Sequence, residues 1–205
     1  MSAVQTAQQQ LRTALGSRRI EMVVIGGSAG GVDALVGLLP ALPAGFAPAV
    51  TCILHVPPDR DSRLAELFAT RTALPVREAQ DKEPIQPGTV YFAGSGYHLS
   101  VEQDRSFSLS CEPPVQFARP AIDILMESAA DVYGPALAGI LLTGANFDGA
   151  EGMCRIRERG GLTIVQDPEE AQASAMPAEA IRRCAPHLVL PLPAIRSVLP
   201  LLETP

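Results

Sequence analysis

A serine in a glycine-rich turn is the residue of this sequence best suited to covalent chemistry. Ser28 lies in the pattern Gly26-x-Ser28-x-Gly30, directly after a short apolar segment. The pattern is typical of a nucleophile elbow, in which glycines allow a sharp turn that leaves the hydroxyl exposed at the N-terminus of a helix. In that geometry the backbone N–H of Ala29 would donate a hydrogen bond to the reacting carbonyl oxygen, as one donor of an oxyanion hole.

The same turn also fits two other interpretations. A glycine-rich turn between a strand and a helix can bind the phosphates of a nucleotide. The dinucleotide fingerprint, however, has glycine where Ser28 stands, and a P-loop has a lysine that this turn lacks. The turn by itself leaves open a nucleophile, an anion-binding loop and a purely structural turn.

A serine nucleophile needs a base, and the chain has three histidines. His55 ends an apolar segment, whereas His98 and His187 fit structural or peripheral positions better. Asp148 also follows an apolar segment, where it could orient a histidine or simply cap the next helix. His55 could likewise be a structural histidine at a strand end. Because residues that follow parallel strands meet at one edge of a sheet, Ser28, His55 and Asp148 are predicted to converge as a catalytic triad.

The segments around these residues alternate between short apolar runs and runs with apolar residues at helical spacing. Strands are predicted over residues 21–26, 49–56, 136–143, 162–166 and 187–190. Helices are predicted over residues 32–39, 64–70, 149–159, 177–183 and 194–201. This alternation favours an α/β fold, a doubly wound three-layer αβα sandwich around a mostly parallel sheet. Segments 89–93, 97–102 and 106–110 are predicted to form an inserted antiparallel β-ribbon.

Composition excludes several classes of partner. The 16 Lys and Arg against 22 Asp and Glu give a formal charge of −6, which provides no cationic surface for nucleic acid. The four cysteines are widely spaced without a C-x-x-C pair, which favours reduced core cysteines over disulfides or a zinc site. The apolar stretches are far shorter than the roughly 20 residues of a membrane span, and no secretory signal is evident. We expect a cytoplasmic protein without direct membrane insertion.

Several motifs follow one another in a fixed order from about residue 22 onward. They are Ile-Gly-Gly-Ser-Ala-Gly-Gly at 25–31, His55 with Pro57, Ala-Arg-Pro-Ala-Ile-Asp at 118–123, Ser-Ala-Ala at 128–130, Thr-Gly-x-x-x-Asp-Gly-Ala at 143–150, Val-Gln-Asp-Pro at 165–168 and Met-Pro at 176–177. Together they resemble the catalytic domain of the CheB-type chemotaxis receptor methylesterases, the protein-glutamate methylesterases. The chain order Ser, His, Asp matches that family and differs from the order of ordinary α/β-hydrolases.

The resemblance implies hydrolysis of glutamate methyl esters on methylated chemoreceptors, with some family members also deamidating glutamine. Carried over by motif, Ser28 would be the nucleophile, His55 the general base and then acid, and Asp148 the residue that orients the imidazole. Arg119 would lie near the substrate cleft, although a surface arginine in an ion pair fits the sequence equally well. The resemblance implies no metal and no organic cofactor.

The loop before Asp148 departs from the family pattern. The family usually has Thr-Gly-Met-Gly-x-Asp-Gly there, and Ala145 and Asn146 replace the methionine and the second glycine. By resemblance this loop lines the oxyanion site, with the backbone N–H of Ala145 as the second donor. The departure keeps two alternatives open: a related serine hydrolase acting on another protein ester or amide, and a non-catalytic chemosensory binding module.

Domain organisation is predicted from where the first strand begins. Familiar members of the family carry a phosphorylatable receiver domain ahead of the catalytic domain. With the first strand starting near residue 20, the chain has no room for a doubly wound domain of about 100 residues before it. We therefore expect an N-terminal extension, 1–19, and a stand-alone methylesterase catalytic domain, 20–205.

Overall fold

The computed structural model describes residues 3–55 and 62–203. The α-helices are α1 (Ala3–Leu15), α2 (Gly31–Leu38), α3 (Leu64–Ala69), α4 (Ile122–Tyr133), α5 (Ala150–Glu158), α6 (Ala175–Cys184) and α7 (Leu192–Val198). The strands are β1 (Met22–Gly27), β2 (Ala49–Leu54), β3 (Val76–Glu78), β4 (Val90–Phe92), β5 (His98–Val101), β6 (Phe107–Ser110), β7 (Leu137–Leu141), β8 (Leu162–Gln166) and β9 (Leu188–Leu190). Short 3₁₀ helices follow α2, α4 and α7 at Leu39–Ala41, Gly134–Ala136 and Leu199–Leu202.

The main sheet has seven strands in the order β3-β4-β2-β1-β7-β8-β9, and every neighbouring pair is parallel. The strand order reverses at β1, which has β2 on one side and β7 on the other. In doubly wound sheets, ligands bind beyond the carboxyl ends of the strands at such a reversal. The end of β1 is therefore where this fold favours a ligand-binding site. The seven parallel strands between two layers of helices confirm the predicted fold class.

Helices cover both faces of this sheet, and its central strands are accordingly buried on both sides and rich in apolar residues. One face packs against α1, α2 and α7, and the other packs against α4, α5 and α6. Leu11 and Leu15 of α1 are buried in the first of these cores. The helix that precedes the predicted boundary at residue 20 therefore contributes to the core, and that boundary stays a prediction.

The middle of the chain corrects one predicted element. Segment 89–93 is not part of the ribbon, because β4 pairs in parallel with β2 and β3 in the main sheet. The antiparallel ribbon has two strands, β5 and β6. The strand β3 and the helix α4 were not expected from the sequence. The predicted end of the second strand at Val56, and Pro57 after it, lie outside the described residues.

The cysteines correct a second expectation. Cys154 of α5 and Cys184 of α6 form a disulfide, 30 residues apart in sequence. Of the other two, Cys52 is buried and reduced, with its thiol pKa raised by burial, whereas Cys111 is exposed. The prediction of reduced core cysteines is thus right for Cys52 alone.

Within residues 3–55 and 62–203, no helix is long and apolar enough to span a bilayer.

Candidate active site

Three strand ends bring the predicted triad residues to one edge of the sheet. Ser28 directly follows β1 and His55 directly follows β2, and the last residues of these strands, Gly27 and Leu54, are paired in register. The backbone N–H of His55 donates to the Gly27 carbonyl at 3.4 Å, so the hydrogen bonding between β1 and β2 continues one residue past the end of β2. Asp148 lies on the loop after β7, the other neighbour of β1. Since adjacent strands are about 4.8 Å apart, Ser28 and His55 start from neighbouring backbone positions, whereas Asp148 lies further along the loop that follows Leu141.

The imidazole of His55 contacts the carboxylate of Asp148. His55 Nε2 lies 2.7 Å from Asp148 Oδ2, and the Asp148 side chain is fully buried while 15% of the His55 side chain is exposed. An ionised carboxylate only accepts hydrogen bonds, so Nε2 carries the proton. The nitrogen of the neutral ring that can accept a proton is therefore Nδ1.

Asp148 is held by the start of a helix distant from it in sequence. The backbone N–H of Ile122 donates to its Oδ2 at 2.7 Å, and that of Asp123 donates to its Oδ1 at 2.9 Å. Both N–H groups belong to the first turn of α4, where free donors and the helix dipole favour a negative charge. The helix that follows Asp148, α5, begins after Gly149 without a side-chain cap. Asp148 thus caps α4, whereas the sequence had suggested α5.

A glycine in β1 allows α4 to approach this closely. A Cβ added at Gly26 would lie 2.6 Å from Ile122 Cγ2, so any larger residue would push the first turn of α4 away from the sheet. Gly30 has a second requirement, because its φ of 80° is left-handed and ends the turn at the start of α2. Gly30, and not Ser28, carries the positive φ of this turn. The glycine pattern around Ser28 therefore serves both the turn and the helix that anchors Asp148.

Asp123 is a buried carboxyl beside this site that the sequence analysis did not single out chemically. Burial, together with the neighbouring charge of Asp148, raises its pKa to about 7. Its Oδ1 accepts from the Gly152 N–H at 2.8 Å, and its Oδ2 accepts from Gln116 Nε2 at 2.8 Å. The sequence marked Asp123 only as a member of the 118–123 motif. Its proximity to Asp148 becomes visible only in the folded structure.

Asn146, which the sequence marked only as a departure from the family pattern, contacts the imidazole of His55. Its Nδ2 lies 3.3 Å from His55 Nδ1, the nitrogen left free by Asp148. Its Oδ1 is buried and has no hydrogen-bond partner among the described residues. The hydroxyl of Ser28 likewise makes no hydrogen bond to the part of the chain that the structure describes. In this arrangement the Asn146 amide donates a hydrogen bond to His55 Nδ1, the ring nitrogen that can accept a proton.

The two predicted oxyanion donors, the backbone N–H groups of Ala29 and Ala145, lie on the loops that follow β1 and β7. The Ser28 N–H donates to the Thr143 carbonyl at 2.9 Å, and Thr143 Oγ1 donates to the Ala29 carbonyl at 2.8 Å, which ties the two loops together. Within residues 3–55 and 62–203, the N–H groups of Ala29 and Ala145 make no hydrogen bond. Both donors are therefore available to an oxygen that develops negative charge.

Arg119 and His55 line a common cavity of about 310 Å³, together with Asn146 and the exposed Phe117. Arg119 Nη1 donates to the carbonyls of Cys111 and Glu112 at 3.0 and 3.1 Å. Its Nε is buried and has no partner among the described residues. The structure thus places Arg119 in the same cavity as His55, where backbone carbonyls hold it and no ion pair forms with any described residue.

The other two histidines have structural partners. His98 accepts from the Ala121 N–H at 3.2 Å and contacts the Pro113 carbonyl at 3.1 Å. His187 contacts Thr163 Oγ1 at 2.8 Å. In the part of the chain that the structure describes, no three His, Cys, Asp or Glu side chains are grouped as a metal site requires. His55 is therefore the histidine that follows the strand next to β1, whose end carries Ser28.

Comparisons with known proteins all lead to one family. A family model described as CheB methylesterase matches residues 23–199. A "Putative protein-glutamate methylesterase/protein-glutamine glutaminase" of Leptospira interrogans serovar copenhageni is 42% identical over 85% of this chain and 91% of its own length. The protein-glutamate methylesterase FrzG of Myxococcus xanthus is 39% identical over 87% of this chain, which spans about half (53%) of that protein. The crystal structure of the Thermotoga maritima CheB methylesterase catalytic domain matches with a TM-score of 0.82 and 31% identity, over 90% of this chain and 98% of that one.

Proposed function

The chain belongs to the CheB methylesterase family and is an enzyme that hydrolyses carboxylic esters, and we propose that its substrates are methyl-esterified glutamate side chains of chemoreceptors. Deamidation of glutamine side chains at the same site belongs to this proposal, because a relative's name includes both activities. The observation that supports it best is the 2.7 Å contact of His55 with Asp148 beside the strand end that carries Ser28. We also propose that the protein acts in the cytoplasm, where cell fractionation should recover it.

The proposed reaction begins with attack of Ser28 Oγ on the ester carbonyl. His55 Nδ1 takes the serine proton, while Asp148 holds the opposite nitrogen and stabilises the imidazolium. The carbonyl oxygen becomes negative as the tetrahedral intermediate forms, and the N–H groups of Ala29 and Ala145 would stabilise it. Collapse of the intermediate breaks the bond to the methoxy oxygen, which leaves as methanol with the proton from His55.

The second half of the reaction regenerates the enzyme. Water attacks the acyl-serine, His55 takes the water proton, and the proton then returns to Ser28 Oγ as glutamate leaves. For a glutamine substrate the same steps release ammonia in place of methanol. Arg119 lines the cavity beside His55, so its guanidinium is placed to contact the bound substrate.

Release of methanol and of ammonia from a receptor fragment tests this proposal. A methylated fragment and a fragment with glutamine at the same positions are incubated with the wild type, with Ser28→Ala and with Ser197→Ala. Ser197 donates to the Ala194 carbonyl in α7 and serves as the matched serine control. We expect methanol from the wild type and the control but not from Ser28→Ala.

Two results would contradict the proposal in different ways. Equal methanol release by Ser28→Ala would rule out Ser28 as the nucleophile. Absence of methanol and ammonia from both fragments, with serine-dependent hydrolysis of another protein ester, would replace the proposed substrate. The replaced loop residues, Ala145 and Asn146, make this second comparison worth performing.

A further inference from the structure

The side chain of Asn146 competes with Ser28 for the same nitrogen of the catalytic-site histidine. Because Asp148 binds Nε2 of His55, the lone pair of Nδ1 is the group that must accept the serine proton. Asn146 Nδ2 donates to that lone pair at 3.3 Å. A lone pair that already accepts an N–H hydrogen bond is not free to accept a hydroxyl proton. The contact therefore opposes activation of the nucleophile.

The surroundings of Asn146 indicate that the amide does not simply fill space there. Its Oδ1 is buried and lacks a partner among the described residues, and such a group costs free energy in the folded state. Its neighbours in the loop, Ala145 and Phe147, are exposed, so solvent borders the loop on either side of Asn146 in the sequence. The amide and His55 also line the same cavity, where a bound substrate would contact both.

We propose that Asn146 is a positioning residue that blocks Nδ1 of His55 in the resting enzyme and leaves it when substrate enters the cavity. This inference rests on the proposed function and adds to it a link between substrate binding and nucleophile activation. A substrate that contacts the amide gives Oδ1 or Nδ2 a new partner and frees the Nδ1 lone pair for Ser28. A small reagent that does not contact the amide leaves the hydrogen bond from Asn146 to His55 Nδ1 in place, and therefore reacts slowly with Ser28.

Phosphonylation of Ser28 by a small fluorophosphonate measures the blocked state directly. In this reaction the Oγ–P bond forms, the P–F bond breaks, fluoride leaves, and the serine proton goes to His55 Nδ1. Asn146→Ala removes the amide and keeps a Cβ, and Asn146→Gly removes the whole side chain. Since one neutral hydrogen bond is lost, we expect the second-order rate constant to rise about 2- to 10-fold in both variants.

Phe147→Ala is the matched control, because it shortens the neighbouring exposed side chain and keeps the Asn146 amide. It should react at the wild-type rate. Nitrogen-15 spectra of labelled histidine rings give a second readout that needs no reaction. In Asn146→Ala the His55 Nδ1 signal should move towards the position of an unbonded acceptor, while the signals of His98 and His187 stay unchanged and report an intact fold.

The outcomes separate this inference from the proposed function. An equal or lower phosphonylation rate in the Asn146 variants, or an unchanged His55 Nδ1 signal, overturns the inference and leaves the proposed function intact. Absence of labelling at Ser28 in the wild type and in every variant overturns the proposed nucleophile and the inference with it. A faster reaction confined to the two Asn146 variants supports both.

Discussion

Replacing Asp123 by asparagine should stabilise the protein at neutral pH and not at acid pH. Asp123 is 4% exposed, and burial beside Asp148 raises its pKa to about 7 from an ordinary value of 3.8. A buried carboxyl with a raised pKa binds its proton more tightly in the folded than in the unfolded chain. Its contribution to stability is therefore complete below about pH 4 and is lost as the pH rises to about 7.

The magnitude follows from the size of this shift. About three pKa units correspond to a loss on the order of 4 kcal/mol in the free energy of unfolding between pH 4 and pH 8. Asparagine carries no charge and can keep both hydrogen bonds. Its Oδ1 accepts from the Gly152 N–H and its Nδ2 donates to Gln116 once that amide turns over. Asp123→Asn should therefore lack this loss.

Urea unfolding at pH 5 and pH 8 measures the difference. We expect the gain of Asp123→Asn over the wild type to be larger at pH 8 by a few kcal/mol. Ser197→Ala, which removes a hydroxyl and no titratable group, is the control and should change the free energy of unfolding by the same amount at both pH values. An equal difference at both pH values, or a wild type that gains relative stability at pH 8, would refute the assignment of a raised pKa to Asp123.

Two further predictions concern Asp148 and the disulfide. Asp148→Asn should lower kcat for methanol release by about 10³- to 10⁴-fold, with a smaller effect on KM. The reason is that an amide cannot accept the hydrogen bonds from His55, Ile122 and Asp123 together. Steady-state kinetics measure the change, and a kcat within tenfold of the wild type would contradict the prediction. Replacing Cys154 and Cys184 together by serine should lower the free energy of unfolding by about 2–4 kcal/mol, measured with urea under non-reducing conditions. Cys111→Ser is the control, and equal midpoints for all three proteins would count against the disulfide.

The sequence was sufficient for the fold class and for the placement of Ser28 and His55 directly after strands, because both follow from local patterns. The apolar runs before Ser28 and His55 could be recognised without knowing which strands pair. The strand β3 was missed because two of its three residues are half-buried, Arg77 is exposed, and the strand carries no apolar run. Segment 89–93 was placed in the ribbon because pairing partners are a property of the whole sheet.

The features that depend on contacts between distant segments could not be predicted. The start of α4 is fixed by Asp148, which lies 26 residues away from Ile122, and no local cap marks it. The disulfide joins two helices whose packing the cysteine spacing does not reveal. Asn146 was visible only as a departure from the family pattern, since its contact with His55 spans 91 residues.

The central claim is that Ser28 and His55 act as one catalytic unit. It is tested most directly by measuring methanol release from a methylated receptor fragment with Ser28→Ala, His55→Ala and the double variant. Residues that act together show strongly non-additive effects. We predict that each single variant loses roughly 10⁴-fold or more in kcat and that the double variant is no slower than either. Losses that multiply in the double variant, or a Ser28→Ala enzyme that keeps its activity, would contradict the account.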